Sequence, residues 1–332
     1  MSDAAIWITE SDVVSLMDMP AAIRALEAGL RSEASGAAAN MAKTHVEWGG
    51  HSTLHAIGAA FPEEGIVGTK TWAHTPGGAT PLIILYDSET GALLAIVEAF
   101  ALGQLRTGAA SGLATRILAA DGADELAIVG TGKQALTQIA AVHAVRPLRR
   151  VRVFGRDTSR RRAFVERVRD ELALDAVEAE NVADAVRGAP IVTAVTRARE
   201  PFLTAAMVAR GAHVNAVGAI VPAGAEVTAN LLARCTRIVA DSPAQARRLS
   251  RELIDFFGHD DAAWKNVRRL ADVVANGERR APTDDLTLFK SLGMGISDLS
   301  LAIEVERAAR RAGMGRPIEA PVRAMPRLVA QK

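Results

Sequence analysis

The stretch ELAIVGTGKQA, residues 125–135, decides how this chain folds. Glu125–Val129 is a short apolar run that predicts a buried strand, and a helix is predicted from about Ala135 onward. Between these elements, Gly130 permits a tight turn and Gly132 allows a ligand to approach the backbone closely. A glycine turn that opens a helix presents free backbone N–H groups and the positive end of the helix dipole, which together suit a phosphate group.

This context predicts a dinucleotide-binding loop. The third glycine of the G-x-G-x-x-G pattern is replaced by Ala135, which is still small enough for the helix to pack closely on the strand. A glycine turn in an α/β domain without a ligand would give the same short pattern, so the flanking strand and helix carry the prediction. The loop residues predicted to bind the cofactor are Gly130, Thr131, Gly132, Lys133 and Gln134.

Strands and helices continue to alternate after residue 124. Alternation of this kind is typical of a parallel sheet with right-handed crossovers, the Rossmann type of domain. Besides Glu125–Val129, the predicted elements are the strands Arg150–Phe154, Ile191–Val195, Val214–Val217 and Arg237–Ala240 and the helix Ser159–Glu171.

The first third of the chain has a mixed α+β pattern instead. We expect a domain boundary near Ala120–Asp124 and one amphipathic helix over Ile296–Ala312 that crosses back to the first domain. The helix Ala101–Ala120 contains small residues, which permit another backbone to approach closely. The other predicted elements of this part are a helix over Ala21–Ser35 and strands over Ser52–Phe61, Gly65–Ala73, Pro81–Asp87 and Ala92–Ala99.

The composition excludes several classes of protein. The 332 residues include 39 Lys and Arg against 38 Asp and Glu, a formal charge of +1, so we expect no nucleic-acid partner. Cys235 is the only cysteine, which excludes an internal disulfide and a cysteine-rich metal site, and we expect no metal. The acidic start and the lack of a long apolar run predict no signal peptide and no membrane segment, hence a cytoplasmic protein.

The end of the second predicted strand bears on the choice of nicotinamide cofactor. Gly155 places no acid at the strand end, and Arg156 follows where an arginine would pair with the 2′-phosphate of NADP. Asp157 is the counter-argument, because an acid there would bond the ribose 2′-hydroxyl of NAD. The sequence therefore favours NADP(H) and leaves NAD(H) open.

Four motifs in order along the chain give a more specific indication. They are LRTGAA (105–110), GTGKQA (130–135), HVNAVG (213–218) and LFKSLGM (288–294). Together they resemble the ornithine cyclodeaminase/mu-crystallin family over nearly the whole chain. The resemblance implies an α/β homodimer in which a Rossmann-type dinucleotide-binding domain is inserted in an α+β substrate-binding and dimerisation domain.

The resemblance also implies the domain limits. Residues 1–119 would form the substrate-binding and dimerisation domain, residues 120–302 the Rossmann NAD(P)-binding domain, and residues 303–332 a C-terminal helix and tail that return to the first domain. Outside the glycine loop, the implied cofactor-binding residues are Thr107, Gly155, Arg156, Asp157, Thr196, Val217 and Ser291.

Arg106 and Lys70 match the active-site cations of the family, and we expect both to be catalytic. A guanidinium holds a carboxylate through two parallel hydrogen bonds, which suits Arg106 to the substrate carboxylate. The apolar neighbours of Lys70 on its strand would lower its pKa if it is buried, so Lys70 or a water that it orients is the expected proton donor. Lys43, His45 and His55 are weaker candidates for substrate binding.

Ile220 departs from the cyclodeaminase pattern, in which an Asp at this position handles the substrate amine. Glu226 is near in sequence, but it would need a different loop path to take that role. We therefore expect NAD(P)H-dependent reduction of an α-imino acid, linear or cyclic, to an L-amino acid, or the reverse amino-acid dehydrogenase reaction. The alternatives are ornithine cyclodeaminase and a non-catalytic, mu-crystallin-like protein that binds NADP and a carboxylate ligand.

Overall fold

The computed structural model describes residues 4–319 and 321–328. The first part of the chain begins with one strand and two helices, continues as a run of antiparallel strands and ends in one long helix. In chain order its elements are β1 (Ala5–Ile8), α1 (Glu10–Leu16), α2 (Met19–Ser35), β2 (Ala39–Asn40), β3 (Thr44–Trp48), β4 (Ser52–Phe61), β5 (Ile66–Thr75), β6 (Gly78–Ala79), β7 (Leu82–Asp87), β8 (Leu93–Glu98) and α3 (Phe100–Leu118).

The second part alternates strands with helices, as the sequence predicted. Its elements are β9 (Glu125–Val129), α4 (Ala135–Val145), β10 (Arg150–Phe154), α5 (Thr158–Leu172), β11 (Ala176–Glu178), α6 (Val182–Val186), β12 (Ile191–Ala194), β13 (His213–Ala216), α7 (Ala229–Arg234), β14 (Cys235–Ala240), α8 (Pro243–Leu249), α9 (Arg251–Phe257), α10 (Asp261–Trp264), β15 (Val267–Arg269), α11 (Leu270–Ala275) and β16 (Leu286–Lys290). Helix α12 (Gly295–Ala312) and strand β17 (Arg316–Ile318) follow.

The strands form two sheets. The first is mixed, with the order β17-β1-β8-β7-β5-β4-β2, and β3 and β6 pair with β4 and β5. The second has the order β11-β10-β9-β12-β13-β16-β14-β15, and all its pairs are parallel. Strand order reverses around β9, which lies between β10 and β12. In such sheets a ligand binds at this switch point, outside the carboxyl ends of the strands.

Helix α12 returns from the parallel sheet to the first sheet, where it packs on α2, α3, β4 and β5. It is continuous through residues 302 and 303, where the sequence placed a boundary, and the left-handed Gly313 ends it as expected. Its first residue, Gly295, lies directly on strand β4. A Cβ atom on Gly295 would be 1.7 Å from the carbonyl oxygen of Gly58, so only glycine permits this approach.

Helices α3 and α4 approach each other as closely as the small residues of α3 predicted. A Cβ atom on Gly108 would be 2.8 Å from the carbonyl oxygen of Thr137, and one on Gly112 would be 2.8 Å from that of Ala141. The helix that follows the glycine turn therefore packs backbone to backbone against the helix that carries Arg106.

A buried polar chain fastens the other end of α3 to the parallel sheet. The Asn215 side chain donates to Thr115 Oγ1 on α3 (3.0 Å), and its oxygen lies 3.1 Å from His213 Nε2. Burial lowers the pKa of His213 to about 3, so the ring is neutral at pH 7. Since buried polar groups are costly without partners, these bonds hold α3 in one position on the sheet.

Candidate active site

Lys70, Arg106 and Asp298 meet between the two sheets. Lys70 lies on β5, Arg106 on α3 and Asp298 in the first turn of α12. Lys70 Nζ donates to Asp298 Oδ1 at 2.9 Å, and Arg106 Nε lies 3.3 Å from the same oxygen. The side chain of Asp298 is 1% exposed and that of Lys70 is 7% exposed, whereas 20% of Arg106 is open to solvent. The guanidinium is therefore the part of this cluster that a ligand reaches first.

The pKa values of Asp298 and Lys70 are both shifted from their usual values. Burial raises the pKa of Asp298, but Arg106 and Lys70 outweigh it and hold that pKa below its usual value. Burial lowers the pKa of Lys70 although Asp298 opposes this, as its apolar strand face predicted. Asp298 is thus an anion that stabilises two cations, and Lys70 releases a proton more readily than an exposed lysine does.

Arg106 also touches the loop that leaves the carboxyl end of β16. Gly293 in this loop has φ +88°, and a Cβ atom there would be 2.8 Å from Arg106 Nη1. The buried carboxylate of Asp241 holds the loop, since it accepts hydrogen bonds from the N–H groups of Leu292 (2.8 Å) and Gly293 (2.7 Å). Arg106 therefore lies at the carboxyl edge of the parallel sheet.

The three weaker candidates lie around Trp72 on β5. His55 stacks on the Trp72 ring at 4.7 Å and on His45 at 5.5 Å, and Lys43 Nζ lies 5.9 Å from the Trp72 ring centre. Burial and the adjacent Lys43 lower the pKa of His55 to about 4, so its ring is neutral at pH 7. His45 is exposed and faces Glu47 at 3.5 Å. Because Lys70 Nζ lies 5.4 Å from the same indole ring, this stack adjoins the Lys70 cluster.

The glycine turn has the shape of a phosphate cradle. Gly130 has φ +116°, and a Cβ atom there would be 2.5 Å from the carbonyl oxygen of Val195, so no other residue fits. A Cβ atom on Gly132 would meet nothing within 4 Å, which leaves the backbone open to a ligand. Lys133 is exposed, with Nζ 5.5 Å from the centre of the Phe100 ring at the start of α3. The turn, with Thr131 and Gln134, fits a pyrophosphate at the start of α4.

The residues after β10 bear on the preference for NADP(H) or NAD(H). Asp157 caps helix α5, where its carboxylate accepts from the N–H of Arg160 (3.0 Å) and the hydroxyl of Ser159 (2.7 Å). Arg156 is exposed, and no ion pair involves it in the part of the chain that the structure describes. Gly155 is buried against Thr131, since a Cβ atom there would be 2.9 Å from the threonine side chain.

The other predicted cofactor residues lie in loops at the same edge of the sheet. Thr196 follows β12, Val217 follows β13 and Ser291 follows β16. Ser291 is buried, and its hydroxyl donates to Asp241 at 3.2 Å. Thr107 lies beside Arg106 on α3, where its hydroxyl donates to the carbonyl of Gly103 at 2.8 Å.

Glu226 does not take the place of the acid that Ile220 lacks. Its carboxylate is fully buried and accepts from the N–H groups of Thr196 (2.6 Å) and Gly218 (2.7 Å). Ile220 itself is 40% exposed. The loop after β13 therefore presents an apolar side chain to solvent and keeps its carboxylate inside.

Asp298 and Asp241 are the site residues that the sequence analysis missed. A signal for Asp298 was present, because Ile296, Leu299 and Ala302 form the apolar face of the predicted helix and Asp298 interrupts it. A charged residue at such a position is normally paired. Its partners are 192 and 228 residues away in the chain, so the sequence did not identify them.

In the part of the chain that the structure describes, no three His, Cys, Asp or Glu side chains are grouped so as to hold a metal ion. Among the same residues, no helix combines the length and the apolar character needed to cross a membrane.

The parallel sheet, the glycine cradle and the adjacent Lys–Arg–Asp cluster define a Rossmann-type dinucleotide-binding protein with a second, cationic site at the edge of the sheet. The chain belongs to the ornithine cyclodeaminase/mu-crystallin family, whose model matches residues 5–312.

Three similar proteins indicate where it stands in that family. A Δ1-pyrroline-2-carboxylate reductase of Bacillus cereus is 29% identical over 272 residues, covering 80% of this chain and 81% of that protein. The structure of the Thermococcus litoralis Δ1-pyrroline-2-carboxylate reductase in complex with NADH and L-proline superposes with a TM-score of 0.88 at 26% identity, over 94% and 100% of the two chains. An archaeal alanine dehydrogenase dimer with bound NAD superposes with a TM-score of 0.87 at 28% identity, over 95% and 99%.

Asp298→Asn should destabilise the protein, because it leaves Lys70 and Arg106 without their counter-charge. We expect a loss of about 3–5 kcal/mol in the free energy of unfolding at neutral pH. Since the pKa of Asp298 is lowered on folding, its stabilisation is present above the ordinary carboxyl pKa and is lost as the pH falls through the folded pKa. Thermal unfolding of both proteins between neutral pH and about pH 3 should therefore show the difference shrinking in acid.

Glu64→Gln is the matched control for this substitution. It removes an exposed ion pair with Arg307 (2.8 Å) and should cost at most about 1 kcal/mol. Equal losses for the two variants would contradict the importance that we give to Asp298.

Proposed function

We propose that this protein catalyses NAD(P)H-dependent reduction of an α-imino acid, linear or cyclic, to an L-amino acid, or the reverse dehydrogenase reaction. The observation that carries the proposal is the contact between Arg106 and Gly293. Through this contact, the buried Lys70 and the partly exposed Arg106 lie near the carboxyl edge of the parallel sheet, where the nicotinamide end of a dinucleotide would lie. The reductase and dehydrogenase activities of the similar proteins support the same reaction class.

The active-site residues of this chain suit an imino-acid substrate that carries a carboxylate. Arg106 would hold the carboxylate with two parallel hydrogen bonds, and Lys70 would neutralise it further. Held in this way, the C=N carbon of the substrate lies at the cofactor edge of the sheet, and proximity supplies much of the rate. A nicotinamide cofactor held by residues 130–134 would provide the hydride that this carbon accepts.

The imine nitrogen needs one proton to complete the reaction. Lys70 would supply it, directly or through a water that it orients, because burial lowers its pKa. Asp298, 2.9 Å from the ammonium group, would hold the lysine in position. The lysine is reprotonated from solvent, and the products are an L-amino acid and the oxidised cofactor. We propose Lys43, His45 and His55 as residues of the substrate pocket, since they surround Trp72 next to Lys70.

The first experiment tests a panel of imines with NADH and with NADPH. The loss of nicotinamide absorbance measures the reaction. The panel includes Δ1-pyrroline-2-carboxylate, Δ1-piperideine-2-carboxylate, and pyruvate, glyoxylate or oxaloacetate with ammonia or methylamine.

Arg106→Leu should lower kcat/KM about 100- to 1,000-fold, because the charged partner of the substrate carboxylate is removed. The control Arg116→Leu changes an arginine on the same helix that pairs with Glu27 at 2.6 Å, and it should retain turnover.

Three outcomes would contradict this proposal. Unchanged turnover in Arg106→Leu would remove that residue from the site. Ammonia release from ornithine without oxidation of cofactor by any imine would indicate a cyclodeaminase, although Ile220 provides no acid for that chemistry. Tight cofactor binding with no reaction in either assay would indicate a binding protein.

We propose NADP(H) as the favoured cofactor and NAD(H) as the alternative, held by the glycine cradle of residues 130–134. Asp157 caps α5, which supports this preference, and among the residues that the structure describes no ion pair involves Arg156. Arg156→Ser should raise KM for NADPH about 10- to 100-fold and leave KM for NADH nearly unchanged. Arg167→Ser, at the far end of α5, is the control. Equal effects on both cofactors would contradict the role of Arg156.

We also propose that the chain forms a homodimer through the exposed face of β3 and β4, within a domain made from residues 1–119 and the C-terminal segment. Val46, Trp48 and Leu54 expose 58%, 46% and 45% of their surface, and Val46 pairs directly with Leu54. A contiguous exposed apolar patch on paired strands is typical of an interface.

Trp48→Glu combined with Leu54→Glu should convert the dimer to a monomer, because the interface would have to bury two carboxylates. Sedimentation velocity at micromolar concentration measures the mass. Val14→Glu, which changes an apolar residue that is 65% exposed on α1, is the control. A monomeric wild type, or a double variant that stays dimeric, would rule out this interface.

A further inference from the structure

Glu226 joins two loops at the carboxyl edge of the parallel sheet. One oxygen accepts from the N–H (2.6 Å) and the hydroxyl (2.8 Å) of Thr196, which follows β12. The other accepts from the N–H groups of Gly218 (2.7 Å) and Ala219 (3.2 Å), which follow β13. Glu226 itself has no exposed surface, so its carboxylate is shielded from water.

These two loops touch each other as well as Glu226. A Cβ atom on Gly218 would be 2.0 Å from the carbonyl oxygen of Thr196, so the two backbones are in direct contact. The pyrophosphate cradle follows β9, and the ribose-binding turn of residues 155–157 follows β10. The loops after β12 and β13 lie on the other side of the switch point, where the nicotinamide end of a dinucleotide would be placed.

A second buried carboxylate connects Glu226 to the substrate side. Glu252 accepts from the N–H groups of Glu226 (2.5 Å) and Val227 (3.1 Å), and its other oxygen lies 2.7 Å from Lys290 Nζ. Lys290 is the last residue of β16 and is fully buried. The loop that follows it ends at Gly293, which contacts Arg106. One buried network therefore connects the loops on the nicotinamide side with the loop that contacts the substrate cation.

We propose that Glu226 is a positioning residue for hydride transfer: it holds the loops of Thr196 and of Gly218–Ala219 at the separation that seats the nicotinamide ring against the substrate bound by Arg106. This inference rests on the proposed function. Glu226 reaches neither the substrate nor the reacting atoms, and it acts through the backbone of the two loops. A carboxylate suits this role because each of its two oxygens accepts from a different loop.

Glu226→Gln tests the proposal because it changes the bonding with little change in shape. The amide has one acceptor oxygen, so its NH₂ group must face the donors of one of the loops and that loop loses its anchor. The cradle at residues 130–134 is unchanged. We expect Kd for the preferred cofactor to change less than about threefold while kcat falls about 10- to 100-fold, as misplacement by about 1 Å does. The fluorescence enhancement of bound NADH or NADPH, which reports the surroundings of the ring, should fall as well.

Glu125→Gln is the matched control. Glu125 is a buried carboxylate on the same sheet, but it lies at the amino end of β9, where it pairs with Arg149 and Arg152. The Glu125→Gln variant should have a lower melting temperature, but its kcat and bound-cofactor fluorescence should be those of the wild type. If Glu226→Gln also changes only the melting temperature, Glu226 has a structural role and the inference is wrong.

The readouts separate this inference from the proposed function. If the wild type binds a cofactor but reduces no imine, the proposed function fails, and the bound-cofactor fluorescence of Glu226→Gln still decides whether Glu226 positions the ring. If the wild type binds neither cofactor, both proposals are wrong. If Glu226→Gln does not accumulate as a folded protein, Glu226→Asp keeps the charge on a shorter side chain. Glu226→Asp should lower kcat by a smaller factor than Glu226→Gln would. If Glu226→Asp instead has the kcat and the bound-cofactor fluorescence of the wild type, the inference is overturned.

Discussion

A buried carboxylate between two cations is the constraint on which the rest of this structure depends. Asp298 is 1% exposed and lies within 3.3 Å of both Lys70 and Arg106. These residues belong to β5, α3 and α12, which come from distant parts of the chain. Because a buried charge is costly without its partners, the ion pairs are satisfied only when α12 returns to the first sheet. The same ion pairs thus assemble the active site and hold α12 on the first sheet.

Backbone contacts at glycine set the position of this cluster relative to the parallel sheet. Gly108 and Gly112 bring α3 against the helix that follows the glycine turn, and Gly293 leaves room for the guanidinium of Arg106. Packed backbones deform little, so these contacts hold the substrate cations at one distance from the cofactor edge. The polar chain from Thr115 to Asn215 and His213 secures the other end of α3.

Much of the fold followed from local pattern. The strands Ser52–Phe61, Glu125–Val129 and Arg150–Phe154 have the predicted bounds. Strand β16 was not predicted as a strand, although it lies inside the parallel sheet. It ends in Lys290, a residue type that normally lies at the surface, and the buried lysine pairs with Glu252, 38 residues away in the chain.

The sequence by itself determined many of the helices and strands and the glycine turn, because glycine positions and the spacing of apolar residues act within a few neighbours along the chain. It also indicated Arg106 and Lys70, through motifs that resemble a known family. The tertiary structure alone decided that Asp298 is their counter-ion and that Glu226 faces inward. Asp298 meets its partners 192 and 228 residues away, and Glu226 accepts from Thr196, 30 residues away. Local sequence patterns carry no record of contacts between such distant residues.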